Sequence, residues 1–228
     1  MVLVVVVDTS TPAITAAVVL VDPNATGRSG IEPLSARRVV DSRAHGELLA
    51  PAVTEALADA GASGRDLAAI VAGVGPGPFT GLRVGLMTAA TMGQALAIPT
   101  YGVCSLDAIG TLARATTLVA TDARRKEIYW AVYRGGVPLT EPAVDRPERV
   151  AQLLDGSGVE VAVGDGALRY ASVLSLPVLD EPRYPPPVGL AELAADRVRR
   201  RAPGEVLVPL YLRRPDAAEP RPPKAVTP

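Results

Sequence analysis

Val71-Ala-Gly-Val-Gly-Pro-Gly-Pro-Phe-Thr-Gly-Leu-Arg-Val-Gly85 decides the fold of this chain, and an uncharged run follows it as far as Leu106. An apolar, β-type run from Ala69 to Val74 meets Gly75, Pro76, Gly77 and Pro78. Glycine admits tightly turned backbone and proline fixes φ, so the strand must end there. A helix is predicted from near Thr80, whose hydroxyl is placed to cap the first free N–H groups. Gly81, Gly85, Ala89 and Gly93 recur every fourth residue and so share one helix face. A second helix can approach such a groove closely. Leu82, Leu86 and Ala90 take the other face. From Val84 through Leu106 there is no Asp, Glu, Lys or Arg. A helix apolar all round is buried on all sides, in a core or between two chains.

Working outward, Val2 to Val7 is a β-branched run typical of a strand buried on both faces. Asp8-Thr9-Ser10-Thr11-Pro12 is a turn, Ile14 to Val21 a second strand and Ser35 to Asp41 a third. Between Ala44 and Ala60 the apolar residues fall at helical spacing, Gly61 ends the segment, and Pro51 marks a place for a kink. Thr100 to Val103 is a fifth strand after Pro99. The order β-β-β-α-β-α-β predicts a mixed sheet with helices on its faces. Beyond it, a helix is expected over 105–114, strands over 117–122, 127–134 and 159–163, and helices over 147–154 and 190–201. The division is an N-terminal lobe over 1–104, a C-terminal lobe over 105–212 whose last helix is free to cross back, and a disordered tail over 213–228.

The 228 residues carry a net charge of −1, and the pI is about 5.9. A chain that binds RNA or DNA unaided is usually basic, so a nucleic-acid role is expected to rest on a partner. Cys104 is the one cysteine and His45 the one histidine, which excludes an internal disulfide and any two-histidine site. The N-terminal apolar run is too short for a signal peptide, and Gln94 and Pro99 argue against a membrane span over 84–106. The expectation is a soluble, cytoplasmic protein.

Val-Val-Asp8-Thr9-Ser10-Thr11, His45-Gly-Glu-Leu-Leu-Ala-Pro51, Gly75 to Gly85, Asp122-Ala-Arg124-Arg-Lys-Glu127-Ile-Tyr129 and Gly164-Asp-Gly166 follow one another in order. With them the chain resembles the TsaB (YeaZ) family, the dimerization subunits of the bacterial complex that forms threonylcarbamoyladenosine in tRNA. The resemblance covers about Val2 to Tyr211, and Pro78 stands where the family usually has serine. It implies an α/β chain of the actin-like ATPase (ribonuclease H-like) fold, two lobes with mixed sheets flanked by helices. It also implies a partner, the catalytic paralog TsaD, with the small ATPase TsaE joining the pair. Together they transfer a threonylcarbamoyl group to N6 of the adenosine next to the anticodon in tRNAs reading ANN codons. In the catalytic paralog a metal-binding His-x-x-x-His stands where this chain has Ser105 and Ile109, and neither is a plausible ligand.

The expected role is therefore a non-catalytic scaffold with no cofactor, no metal and no catalytic residue. It would meet TsaD as a heterodimer, pair with itself when alone, touch tRNA only through the complex, and have no membrane. The expected interface residues are His45, Leu49, Val53, Gly81, Arg83, Gly85, Ala89 and Gly93. Asp8, Thr9, Ser10, Gly75, Gly77, Gly164, Asp165 and Gly166 read either as a vestigial nucleotide cleft or as ordinary turns, since backbone N–H groups at such turns can cradle phosphate but no Walker lysine follows. The basic tip Arg124-Arg125-Lys126 reads as a tRNA phosphate contact or a solvated turn. Two rivals remain: a stand-alone nucleotide-binding or phosphoryl-transfer protein of the same fold, and a peptidase of clan M22. The second lacks a nucleophile–base pair.

Overall fold

The structure is a computed structural model that describes residues 1–27 and 29–213; the expected tail beyond these lies outside the described residues. Strands β1 (Val2–Asp8), β2 (Ala13–Val21), β3 (Ile31–Val40), β4 (Leu67–Gly73) and β5 (Thr100–Val103) form the first sheet, in the order β3-β2-β1-β4-β5. β1 and β2 are antiparallel, while β4 and β5 run parallel to β1, as two crossover helices require. Those helices are α1 (His45–Asp59) and α2 (Phe79–Leu96).

β1 is central, so both of its faces are covered, and Val4 to Val7 are each 0% exposed. Val5 and Val7 pack with Ile14, Leu49, Val53, Leu82 and Leu86 beneath α1 and α2. Val4 and Val6 face the opposite layer with Val19, Tyr101, Leu190 and Ala194. Leu190 and Ala194 belong to α7 (Pro187–Arg199), which lies across the first sheet although it comes last in the chain.

The second sheet repeats the plan with shorter pieces. Its strands are β6 (Thr117–Asp122), β7 (Ile128–Arg134), β8 (Val137–Pro138), β9 (Ala143–Asp145), β10 (Val161–Val163) and β11 (Val178–Leu179). The order is β11-β10-β6-β7-β8, with β9 also on β7. β6 and β7 form an antiparallel hairpin and β10 runs parallel to β6, so the hairpin occupies the place of β1 and β2 in the first lobe. α3 (Ser105–Gly110) packs on one face through Leu106 and Ile109 against Tyr133. α4 (Pro147–Leu154), α5 (Asp165–Arg169) and α6 (Ala171–Leu174) cover the other around Trp130 and Leu118.

Several sequence readings need adjustment. β3 begins at Ile31, four residues before the expected Ser35, because Ile31, Glu32 and Pro33 continue the ladder against β2 past a bulge. α3 stops at Gly110, where Tyr133 leaves no room for a side chain, and so is shorter than 105–114. Thr80 does not cap α2. The helix starts at Phe79 with extended Pro78 at the cap position, so Thr80 is already the second helical residue. α1 runs unbroken through Pro51, and Gly61 follows it with φ +63°. The N–H of Ala62 donates to the Leu57 carbonyl at 2.9 Å and that of Gly61 to Ala58 at 3.0 Å. This double closure satisfies carbonyls the helix end would leave bare, and a left-handed residue is needed to make it.

After α7 the chain runs back over the first lobe as an extended strap. Thr100 donates its hydroxyl to the Glu205 carbonyl at 2.9 Å, and the N–H of Leu210 donates to Val74 at 2.8 Å. The strap reaches the second lobe, where Arg213 pairs with Glu127.

Candidate functional site: a filled phosphate loop, an interlobe cavity and an outward helix face

Asp8 ends β1 in the interior, 1% exposed. Its Oδ2 accepts the Ser105 hydroxyl at 2.6 Å, and its Oδ1 accepts the Ser10 N–H at 3.0 Å and the Ser10 hydroxyl at 2.8 Å. Burial pushes the Asp8 carboxyl up, and the Ser105 and Ser10 bonds pull it back. A Cβ at Gly73 would fall on that carboxylate, and one at Gly77 would fall on the Ser10 backbone. Thr9 is also committed: its hydroxyl donates to the Gly81 carbonyl at 2.7 Å and accepts the Gly85 N–H at 3.1 Å. Asp8, Thr9, Ser10, Gly75 and Gly77 therefore come together, but they fill one another. The Ser10 N–H that would cradle a phosphate is spent on a carboxylate, which itself opposes an anion.

Gly164, Asp165 and Gly166 stand at the end of β10. A Cβ at Gly164 would meet the Ala120 carbonyl and one at Gly166 the Thr121 backbone, so the turn is pressed onto β6. The N–H of Asp122 donates to Asp165 Oδ1 at 3.2 Å. Burial, chiefly, pushes the Asp165 carboxyl up from the ordinary 3.8 to about 6; the Asp122 N–H opposes the rise and the Asp122 carboxylate adds to it. A carboxyl raised by folding favours the native state while it is protonated, and that advantage is lost as the pH climbs from about 4 through 6. Asp165→Asn is expected to remove the loss, stabilising the chain at pH 8 by about 1–3 kcal/mol and little at pH 4. Urea midpoints at the two pH values check it, and an equal gain at both would refute it.

Between the lobes lies a cavity of about 870 Å³. Thr9, His45 and Phe79 line it from the first lobe, Arg124 and Tyr129 from the second, and Tyr211 and Arg213 from the strap. His45 is not a free ligand: its Nε2–H donates to the Thr11 carbonyl at 2.9 Å and its ring lies against Gly81. The Tyr129 hydroxyl donates to the Gly77 carbonyl at 3.3 Å and so ties the second lobe to the glycine-proline loop. Arg124, Arg125 and Lys126 have φ of 60°, 52° and 61°. A left-handed non-glycine residue costs on the order of 1–3 kcal/mol, so the rest of the hairpin must hold this tip.

The expected interface set is corrected by burial. Gly81, Gly85, Ala89 and Gly93 face their own chain: Thr9 and His45 lie against Gly81, Thr9 against Gly85, and Thr100 against Gly93. His45, Leu49 and Val53 are buried under α1. Of that set only Arg83 is exposed. The small stripe does mark a close approach, but what approaches is the chain's own Thr9 of the β1–β2 turn at Gly81 and Gly85, and Thr100 at Gly93. What α2 presents outward is Phe79, Arg83, Met87, Ala90 and Thr91, with Met87 60% exposed. α1, packed beside it, presents Gly46, Glu47, Ala50, Pro51, Thr54 and Ala58. Two of its acids, Glu55 and Asp59, are engaged by Arg37 of β3. Arg83 lies 5.0 Å over the Phe79 ring, which stacks on Tyr211 at 5.3 Å. Alternation within the uncharged run had no power to tell an outward Met87 from an inward Leu86, since both are apolar.

Cys104 and Ser105 follow β5. Burial pushes the Cys104 thiol up to about 12, which removes it as a nucleophile at neutral pH. Ser105 is spent on Asp8, and Ile109 is a core residue 1% exposed. Among the described residues no group of three His, Cys, Asp or Glu is placed to hold a metal ion, and no helix is long and apolar enough to cross a membrane.

The repeated sheet plan, the hairpins facing across a cleft and the filled first loop define an α/β protein of the actin-like class. Residues 24–178 match the family model of TsaD, the tRNA N6-adenosine threonylcarbamoyltransferase. The chain belongs to that family and within it is a TsaB/YeaZ-like protein. It is 49% identical over 211 residues to an uncharacterized protein of Mycobacterium tuberculosis, with 92% of each chain covered. It is 35% identical over 135 residues to the tRNA threonylcarbamoyladenosine biosynthesis protein TsaB of Escherichia coli, covering 54% of this chain and 58% of that one. The solved structure of YeaZ from Pseudomonas aeruginosa superposes with a TM-score of 0.74 at 28% identity, covering 93% of this chain and all of the other. The chain is thus tied to threonylcarbamoyladenosine formation in tRNA.

Proposed function

We propose that the chain is a non-catalytic scaffold subunit that supports N6-threonylcarbamoylation of the adenosine beside the anticodon, by forming a heterodimer with the transferase paralog TsaD in the cytoplasm. The observation that carries this reading is the outward face of α1 and α2. Gly46, Ala50, Thr54, Ala58, Met87, Ala90 and Thr91 form an exposed surface of small and apolar side chains in which Glu47 and Arg83 are the charged residues, and such a surface marks an association site. The filled Asp8 loop and the committed Ser105 support a role without catalysis. TsaE joins the pair, and the free chain uses the same face for a homodimer.

The test is reconstitution. The purified chain, the TsaD paralog from the same cell and the remaining components are assayed for threonylcarbamoyladenosine in unmodified tRNA, with each protein omitted in turn. The expected result is no transfer by this chain alone and a large loss of product when it is left out. Transfer by the chain alone, or equal product without it, would overturn the reading.

A further inference from the structure

We infer that the rim of the interlobe cavity is a contact site for the phosphodiester backbone of RNA, with Arg43, Arg124 and Arg125 as its cationic residues. The inference rests on the reading of the chain as part of a tRNA-modifying assembly and says which part of this subunit meets the RNA.

The cations come from both lobes. Arg43 stands in the turn before α1, and Arg124 and Arg125 stand on the β6–β7 tip; all three line the same cavity. The tip reaches across, with Arg124 Nη2 donating to the Ser42 carbonyl at 3.5 Å, next to Arg43. Among the described residues neither the Arg43 nor the Arg124 side chain forms an ion pair, and the Arg43 N–H donates to Asp41 Oδ1 at 2.8 Å. Arg213 at the same rim is neutralised by Glu127. Asp122, the acid that lines the cavity, is held by Arg169 at 3.2 Å. Two guanidinium groups, those of Arg43 and Arg124, thus stand at this rim without an ion pair on a chain whose net charge is −1.

The tip is also held in shape. The N–H of Ala123 donates to Glu127 at 3.0 Å and that of Glu127 to Arg124 at 2.9 Å, closing a hairpin of consecutive left-handed residues. Such a turn fixes where Arg124 and Arg125 leave the backbone. A mononucleotide fits less well than a strand. The loop that would cradle its phosphates is filled by Asp8 and Gly77, and the cations lie at the rim. Tyr211, 42% exposed at the same rim and stacked on Phe79, offers ring surface to an unstacked base. Gly46 and Phe79 also belong to the outward face of α1 and α2, so RNA bound here would pass beside the proposed paralog interface.

The test uses the full chain and an unmodified anticodon stem-loop RNA, titrated at several low salt concentrations. Each phosphate contact adds about 0.7–0.9 to the slope of log K against log salt. The parent is expected to bind, and the triple variant R43Q/R124Q/R125Q to bind at least tenfold more weakly with a slope shallower by about two. Thermal melting checks the fold of the triple variant. Should it melt early, Arg43→Gln alone, on an exposed turn, is expected to lose about one phosphate's worth of slope. No binding by the parent, or an unchanged slope in a folded variant, would overturn the inference. So would binding of Mg-ATP that depends on these arginines while RNA affinity does not. Binding to the paralog is measured alongside. A chain that fails there yet keeps the arginine-dependent slope removes the scaffold reading alone.

Discussion

Met87→Glu is expected to weaken binding of the chain to its transferase paralog at least a hundredfold while leaving its melting temperature within a few degrees of the parent. Met87 is 60% exposed on the outward face of α2, and substitutions at such positions change stability by about 0.5 kcal/mol or less. In a heterodimer the new carboxylate would be desolvated among Ala90, Thr91 and the small residues of α1, of which Ala50 and Thr54 are also exposed. A buried charge without a partner costs about 3–5 kcal/mol, and a hundredfold loss of affinity needs about 2.7. Arg83 is one turn away but stands over the Phe79 ring, so rescue by pairing would forfeit that stacking. Leu139→Glu supplies the control: Leu139 is 53% exposed but follows β8 on the second lobe, and its change is expected to leave paralog binding untouched. Calorimetry or surface plasmon resonance measures both. Equal losses at Met87 and Leu139 would mean a nonspecific effect of charge. No loss at Met87 would remove the α1–α2 face as the interface.

The first lobe was legible because its elements are long and each carries its own signal. Val2 to Val7 is apolar without alternation, as a strand covered on both faces must be, and Gly75 to Pro78 cannot continue it. The second lobe was legible only in outline. β10 has three residues and β11 two, with helices of five and four residues between them, and such pieces are too short to show a period. The strap over 202–213 has no repeating pattern, because its bonds go to Thr100 and Val74, which are distant in sequence. At the site, the residue types of the β1–β2 turn were right for a phosphate loop. Whether the loop was open or filled depended on Ser105, which lies far along the chain.

The glycine stripe of α2 shows the limit of spacing most directly, and Gly85→Leu turns it into a measurement. A four-residue period of small side chains says that something comes close, and says nothing of which chain supplies it. Here the approaching group is Thr9, whose hydroxyl accepts the Gly85 N–H at 3.1 Å and donates to the Gly81 carbonyl at 2.7 Å. A Cβ at Gly85 would fall on that hydroxyl, so a leucine must displace Thr9 and break both bonds. Overpacking of this kind costs about 1–3 kcal/mol, and each buried polar group left unpaired about 1–3 more. The sum is a large fraction of a typical stability of about 5–15 kcal/mol. For a chain of this size each kcal/mol lowers the melting temperature by about 2–4 °C, so a fall on the order of 10–20 °C is expected. Ala90→Leu, on the outward face of the same helix, is expected to melt with the parent. Paralog binding by Gly85→Leu should fall only as far as its folded fraction falls. Should the variant instead melt with the parent and lose the paralog, the stripe would be the docking groove, and the packing of Thr9 against it would be wrong.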